Sequence, residues 1–211
     1  MSASDSPGAV GSDSHARSPG RRAAAGTPHG APGPAGRHHP GRPDAAERMR
    51  NLLQEDRASL AVPNIRAFIC AIAFAEGGDY NLKFGGVKGR KNDPWSFSDF
   101  STHPGTGKGG AVTAAGMYQI NEGTWREVGG KIGLHDFSPT TQDLLAVEIL
   151  RELRVLPAIQ AGDLTTALSA ASRRWAALPQ GPGLGNRYPP QPFKTYEDFL
   201  AAYKENGGTL P

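Results

Sequence analysis

The chain has 211 residues, 37% of them hydrophobic, with 23 basic and 20 acidic side chains and a single cysteine. That length suits one ordinary domain plus a tail, a lone cysteine excludes an intramolecular disulfide, and no run reaches the roughly 20 apolar residues of a membrane-spanning helix. The net charge of +3 is weak evidence for any polyanionic partner.

Residues 1–48 hold eight Gly, seven Pro, ten Ala and four of the six His, with Val10 as the one bulky aliphatic side chain. Such a segment buries too little apolar surface to offset the entropy of ordering it, so a disordered tail is expected. Its six Arg against four acids make it mildly basic, which leaves the remainder nearly neutral. The N-terminus lacks the apolar core of a secretory signal. Synthesis in the cytoplasm without a signal peptide is therefore expected, with any extracytoplasmic target reached by another route. Met49 opens an amphipathic stretch (Leu52, Leu53, Leu60), so a further expectation is that translation starts there and that the upstream segment is dispensable. Residues 49–62 read as a linker or short helix, and 63–211 as the folded domain.

Within that domain Asn64 is a candidate N-cap, and Ile65, Phe68, Ile69 and Ile72 follow at helical spacing. At about 100° per residue Glu76, eleven positions after Ile65, returns to within roughly 20° of it around the axis. The carboxyl group thus ends the buried stripe, and Gly77-Gly78 supplies the stop. Cys70 lies in the same apolar run, where a buried structural thiol is expected and not a nucleophile. Residues 80–120 are glycine-dense, with short apolar pieces separated by turn residues, which predicts irregular loops with a small antiparallel sheet. Helices are then predicted from Thr124 to Lys131 and from Ser138-Pro139 to about Leu153. A third starts at Asp163 and carries Leu164, Ala167, Leu168, Ala171 and Trp175 on one face. The last starts at Thr195, with Asp198 three residues later in a capping-box position. The order predicts an α+β fold with a helical lobe, a small antiparallel β lobe and a groove between them.

An acid on the apolar face at a helix C-terminus is held in its neutral form twice over, by burial and by the negative end of the helix dipole. A carboxylic acid still protonated near neutral pH can donate a proton to a leaving oxygen. The competing reading is a half-exposed Glu that caps something local. His103, beside Pro104, reads as a loop histidine, and no zinc-ligand spacing exists. No metal or cofactor is implied. Gly105 to Gly110 lacks the spacing and the Ser or Thr of a phosphate loop and reads as a flexible loop of the β lobe.

The run Phe74-Ala75-Glu76-Gly77-Gly78-Asp79 resembles the end of the first core helix of the lysozyme superfamily, where the catalytic Glu stands. Further segments, in the same order, resemble the endolysins of lambda-like phages. They are Phe97 to Pro104, Thr113 to Ile120, Asp136-Phe137-Ser138-Pro139 with Gln142-Asp143, Trp175 to Pro179, and Gly207-Gly208-Thr209. The resemblance covers about 64–211 and implies a lysozyme-like fold and a peptidoglycan lytic transglycosylase with Glu76 as its acid. The chain then acts as a monomer on glycan strands of the cell wall, released through a holin-type or other route, with neither nucleic-acid binding nor membrane insertion. Tyr118 and Gln119 are the main expected sugar contacts, joined by Thr113, Asp99, Tyr188 and Gln191. Asp79, Asp93 and Asp99 are the candidates for a second acid, and the resemblance makes none of them a required nucleophile; Asp99 also reads as a turn cap. Two departures bear on substrate preference: Met117 stands where the family usually has Arg, and the loop from Gly181 to Pro190 is longer. The alternatives are a hydrolytic muramidase of the same fold, or a non-catalytic wall-binding, structural or effector module.

Overall fold

The computed structural model describes residues 43–211, so the tail expected over 1–48 lies almost wholly outside the described residues. Its last part is corrected. Helix α1 spans Ala45–Leu60, and Asp44 caps it by accepting from the Glu47 amide at 2.7 Å. The helix therefore begins before Met49, because the cap and the first-turn acid both precede that residue. It lies along α3 and α4, with Leu52, Leu53 and Leu60 packed on the core.

Six more helices follow: α2 (Pro63–Glu76), α3 (Glu122–Ile132), α4 (Pro139–Glu152), α5 (Leu156–Gln160), α6 (Leu164–Ala171) and α7 (Tyr196–Glu205). The core forms around α2 and α4. Every residue from Thr141 to Leu150 is buried, and α2 inserts Ile65, Phe68, Ile69 and Ile72 beside it. Phe68 meets Phe199 of α7 edge to face at 5.1 Å. Ser138 with Pro139, Asp163, and the Thr195–Asp198 capping box start α4, α6 and α7, each where sequence chemistry puts a cap. Asn64 is not a cap. Val62 precedes α2, and the Asn64 side chain instead bridges the Gln160 carbonyl and the Thr209 backbone, tying α2 to the C-terminal segment.

The expected small sheet is not formed. Between 80 and 120 the described residues hold isolated antiparallel bridges only, Leu82 with Ser96, Lys83 with Ala115 and Ala115 with Ile120. Too many residues there sit at positive φ for a ladder to extend. What replaces the sheet is a set of tethers to the helices. The buried His103 ring pairs with the Ile120 carbonyl at 3.0 Å, accepts from the Gly105 amide and packs on Phe137 at 4.6 Å between ring centres. Gln142 of α4 donates to the Tyr80 and Phe137 carbonyls and accepts from the Met117 amide. At Gly78 the backbone following α2 runs so close to residues 116–117 that a β-carbon would stand 2.5 Å from their carbonyl oxygens, so only glycine fits. That contact presses the end of α2 against the glycine-rich segment, and Glu76 stands at the junction.

Candidate active site

Helix α2 ends at Glu76 because Gly77 adopts a left-handed conformation (φ 65°) and closes the last turn on Ala73. The side chain enters a cleft of about 650 Å³ between the glycine-rich segment and the segment after α6. One carboxyl oxygen of Glu76 is buried and has no hydrogen-bond partner among the described residues. Burial pushes its pKa up to about 7, against a smaller downward pull from the backbone amide of Ala177. Near neutral pH a large share of the molecules therefore carries the proton, on an acid with one buried oxygen left without a partner. Glu76 is the one carboxyl group among the residues that line this cleft.

The other anticipated site residues divide into two sets. Gln119, Tyr188 and Gln191 line the cleft with Glu76. Gln119 holds a left-handed backbone (φ 46°), unusual outside glycine, and its amide donates to the Gly116 carbonyl at 3.0 Å. Tyr188 donates to the Arg173 carbonyl at 2.9 Å, which ties the extended loop to the segment after α6. Inside that loop the buried Asn186 donates to the carbonyls of Ala176 and Gln191, so one amide holds both ends.

Tyr118, Thr113 and Asp99, also expected as sugar contacts, are not among the residues that line the cleft. Tyr118 is only 3% exposed, and its hydroxyl donates to Asp143 at 2.7 Å, beside Tyr80 at 2.8 Å on the same oxygen. Because Gln119 takes the left-handed turn, Tyr118 points into the core while Gln119 reaches the groove. Thr113 accepts from the Glu122 amide at 3.1 Å and so anchors the start of α3. Asp99 accepts from the Ser101 amide at 2.8 Å as a turn cap, and the Ser101 hydroxyl together with that amide holds its pKa below the usual range. Of the other candidate acids, Asp79 accepts from the Tyr80 amide, and Asp93 from the amides of Val87 and Trp95. Neither lines the cleft.

Sequence reasoning missed several lining residues. Phe84 and Val112 are exposed apolar groups on the glycine-rich wall, and Lys108 and Gly107 hold them together through backbone bonds to Phe84 and Val112. Trp175, expected in the core, is buried at 4% yet also forms part of the cleft wall, with its indole N–H on the Tyr118 carbonyl at 3.0 Å. Arg173 and Arg174 join it. Nothing in their local sequence marks them, because only the fold brings the end of α6 to the cleft. Cys70 is half-buried and free. Among the described residues no three His, Cys, Asp or Glu cluster as metal ligands, and no single helix is long and apolar enough to cross a membrane.

A family model described as Endolysin matches residues 66–210. The endolysin of Escherichia phage lambda is 33% identical over 160 residues, covering 69% of this chain and 92% of the relative. That of Escherichia phage P2 is 34% identical over 163 residues, covering 69% and 93%. Among solved structures, the bacteriophage lambda lysozyme complexed with a chitohexasaccharide superposes with a TM-score of 0.59 at 30% identity, over 71% of this chain and 97% of that one. A second structure of lysozyme from bacteriophage lambda gives 0.55 at 28%, with the same coverage.

Proposed function

The chain belongs to the endolysin family, and we propose that within it the chain is a lytic transglycosylase with Glu76 as its only catalytic carboxyl. The family makes it a peptidoglycan-cleaving glycosidase of the phage-lysozyme type, an enzyme of cell-wall lysis with a lysozyme-like fold. What carries the finer reading is one observation: the acid in the cleft has its pKa raised to about 7, keeps one buried oxygen without a partner, and faces no second carboxyl group.

The reaction needs one group that first gives and then takes a proton. Glu76 protonates the oxygen joining N-acetylmuramic acid to N-acetylglucosamine, and the C1–O bond breaks. The C6 hydroxyl of the same muramic residue attacks C1, and its proton passes to the Glu76 carboxylate. A 1,6-anhydro end forms, the acid is restored and no water is consumed. Most glycosidases instead set two carboxylates across the bond, one of them activating water or forming a covalent intermediate. The absence of a second acid from this wall argues for the internal nucleophile.

Binding follows the same geometry. Phe84, Tyr188 and Trp175 offer apolar faces to sugar rings, and the Gln119 and Gln191 amides suit the N-acetyl groups. The complex of the lambda lysozyme with a chitohexasaccharide supports a glycan as the occupant. Tyr118, Asp99 and Thr113 act behind the wall, through Gln119, the 99–101 turn and the α3 start. The enzyme works as a monomer and reaches the wall through a holin-type or other export route.

The test is the mass of the ends released from purified peptidoglycan. Anhydro ends, one water lighter than hydrolysed ones, are expected; hydrolysed ends without anhydro species would make the enzyme a muramidase.

A further inference from the structure

A side hollow of about 180 Å³ opens off the Glu76 cleft. The two share Gln119, Asn121, Arg173, Arg174 and Trp175, and Thr124 closes the far side of the hollow. Its polar character is one-sided: two guanidinium groups, two amides and a hydroxyl, with no carboxyl group among the lining residues. Among the described residues Arg173 makes no ion pair, and its backbone carbonyl, held by Tyr188, fixes where the side chain starts. Arg174 has only a long contact of 3.5 Å to Glu152, whose other oxygen Lys131 already takes at 2.6 Å. Arg174 is only partly offset by Glu152 and Arg173 has no ion pair among the described residues, so the two guanidinium groups leave this end of the groove with an excess of positive charge.

A chain of N-acetylated sugars has no use for that charge, since its rings and amides are neutral. The anionic groups on a wall glycan branch from muramic acid. They are carboxylates, either of the peptide stem or of the lactyl arm where no stem is attached. We propose that Arg173 and Arg174 form a carboxylate subsite that binds the muramic branch and orients the strand, so that its C6 hydroxyl rather than an N-acetylglucosamine faces Glu76. Guanidinium forks match carboxylates in geometry and charge. The subsite rests on the reading of the cleft as a glycan groove and adds a basis for telling wall strands from neutral chitin-like oligomers.

The experiment uses the full chain carrying Glu76→Gln, so that strands are bound and not consumed. Dissociation constants are measured at low salt for uncross-linked peptide-bearing strands, for the same strands freed of peptides by an amidase, and for neutral N-acetylglucosamine hexamer. Adding Arg173→Ala with Arg174→Ala is expected to weaken the anionic strands roughly tenfold. The neutral hexamer should hold within about a factor of two, and salt should erode the anionic advantage. Arg173→Lys should restore part of it. Loss confined to peptide-bearing strands assigns the stem carboxylate; loss confined to stripped strands assigns the lactyl arm; loss on both means either is accepted. An equal loss on the neutral hexamer, or no loss on any ligand, overturns the subsite. Both arginines are exposed, so an unchanged melting temperature checks that the variants fold. Product masses from the parent chain read the transglycosylase chemistry separately and do not enter these ratios.

Discussion

Burial pushes Glu76 and Glu148 up to about the same value, near 7, in two regions of very different construction. Glu148 lies between α4 and α1, beside Asp56, which is wholly buried and whose pKa is also raised. Arg151 binds Asp56 at 2.6 Å and Glu148 at 3.0 Å, and reaches Glu55 at 3.1 Å. The hollow nearest this group, about 390 Å³, is lined by Arg151 and Arg154 and by no acid. Here one guanidinium, bound to both buried acids, holds two helices together. Glu76 has no such guanidinium, no second acid, and a cleft in front of it. A displaced pKa therefore marks burial wherever it occurs, and it marks chemistry only where the proton has somewhere to go. Helix α1 also precedes the family match, which begins at residue 66. The Arg151 group thus joins α1 to α4, whose Glu148 and Arg151 lie within the matched residues.

Substitutions should separate the two regions. The largest effect is expected from Glu76→Gln, which keeps the shape of the side chain and removes its proton transfer. Turbidity clearing should fall by about a thousandfold while binding to wall strands is kept; clearing at the parent rate would remove Glu76 from the reaction and leave a non-catalytic wall-binding module. Asp56→Ala leaves Arg151 half-buried beside the remaining acids and should lose about 3 kcal/mol of stability in denaturant titration, with turnover per folded molecule unchanged. If that variant loses turnover instead, α1 belongs to the working site.

The same contrast appears in pH dependence. A carboxyl group raised from an ordinary 4.5 to about 7 adds stability that is full below 4.5 and lost as pH rises through 7. Glu76→Gln should therefore be more stable than the parent at pH 8 by up to about 3 kcal/mol and nearly equal to it at pH 4. The Glu148 contribution is common to both proteins and cancels. Activity of the parent should decline above about pH 7 in the same window. The smallest effect is expected from Tyr118→Phe, which removes one of two hydroxyl donors to Asp143 and should cost about 1 kcal/mol without altering KM. A rise in KM would return Tyr118 to the groove.

Local chemistry in the sequence accounts for much of this outcome. The stripe from Ile65 to Glu76, the Gly77 stop and the caps at Ser138, Asp163 and Thr195 each depend on neighbours a few residues away, and each appears in the fold. Three features depended on partners far along the chain and stayed illegible. Tyr118 and Gln119 were a plausible pair until a left-handed residue turned one inward and the other outward. Glycine density over 80–120 signalled turns correctly, but the segment is held by His103, Gln142 and Gly78 contacts and forms no sheet. Arg173 and Arg174 carry no local signal of a site, and only the fold sets them on the cleft wall.

The protonation of Glu76 itself is the quantity on which the whole account turns, and titration of its side-chain carboxyl by carbon NMR in the intact protein measures it directly. A midpoint near 7, absent from the spectrum of Glu76→Gln, is the expected result. A midpoint at the ordinary value of 4.5 would mean an ionised group in contact with water, with no proton to give to a sugar bond.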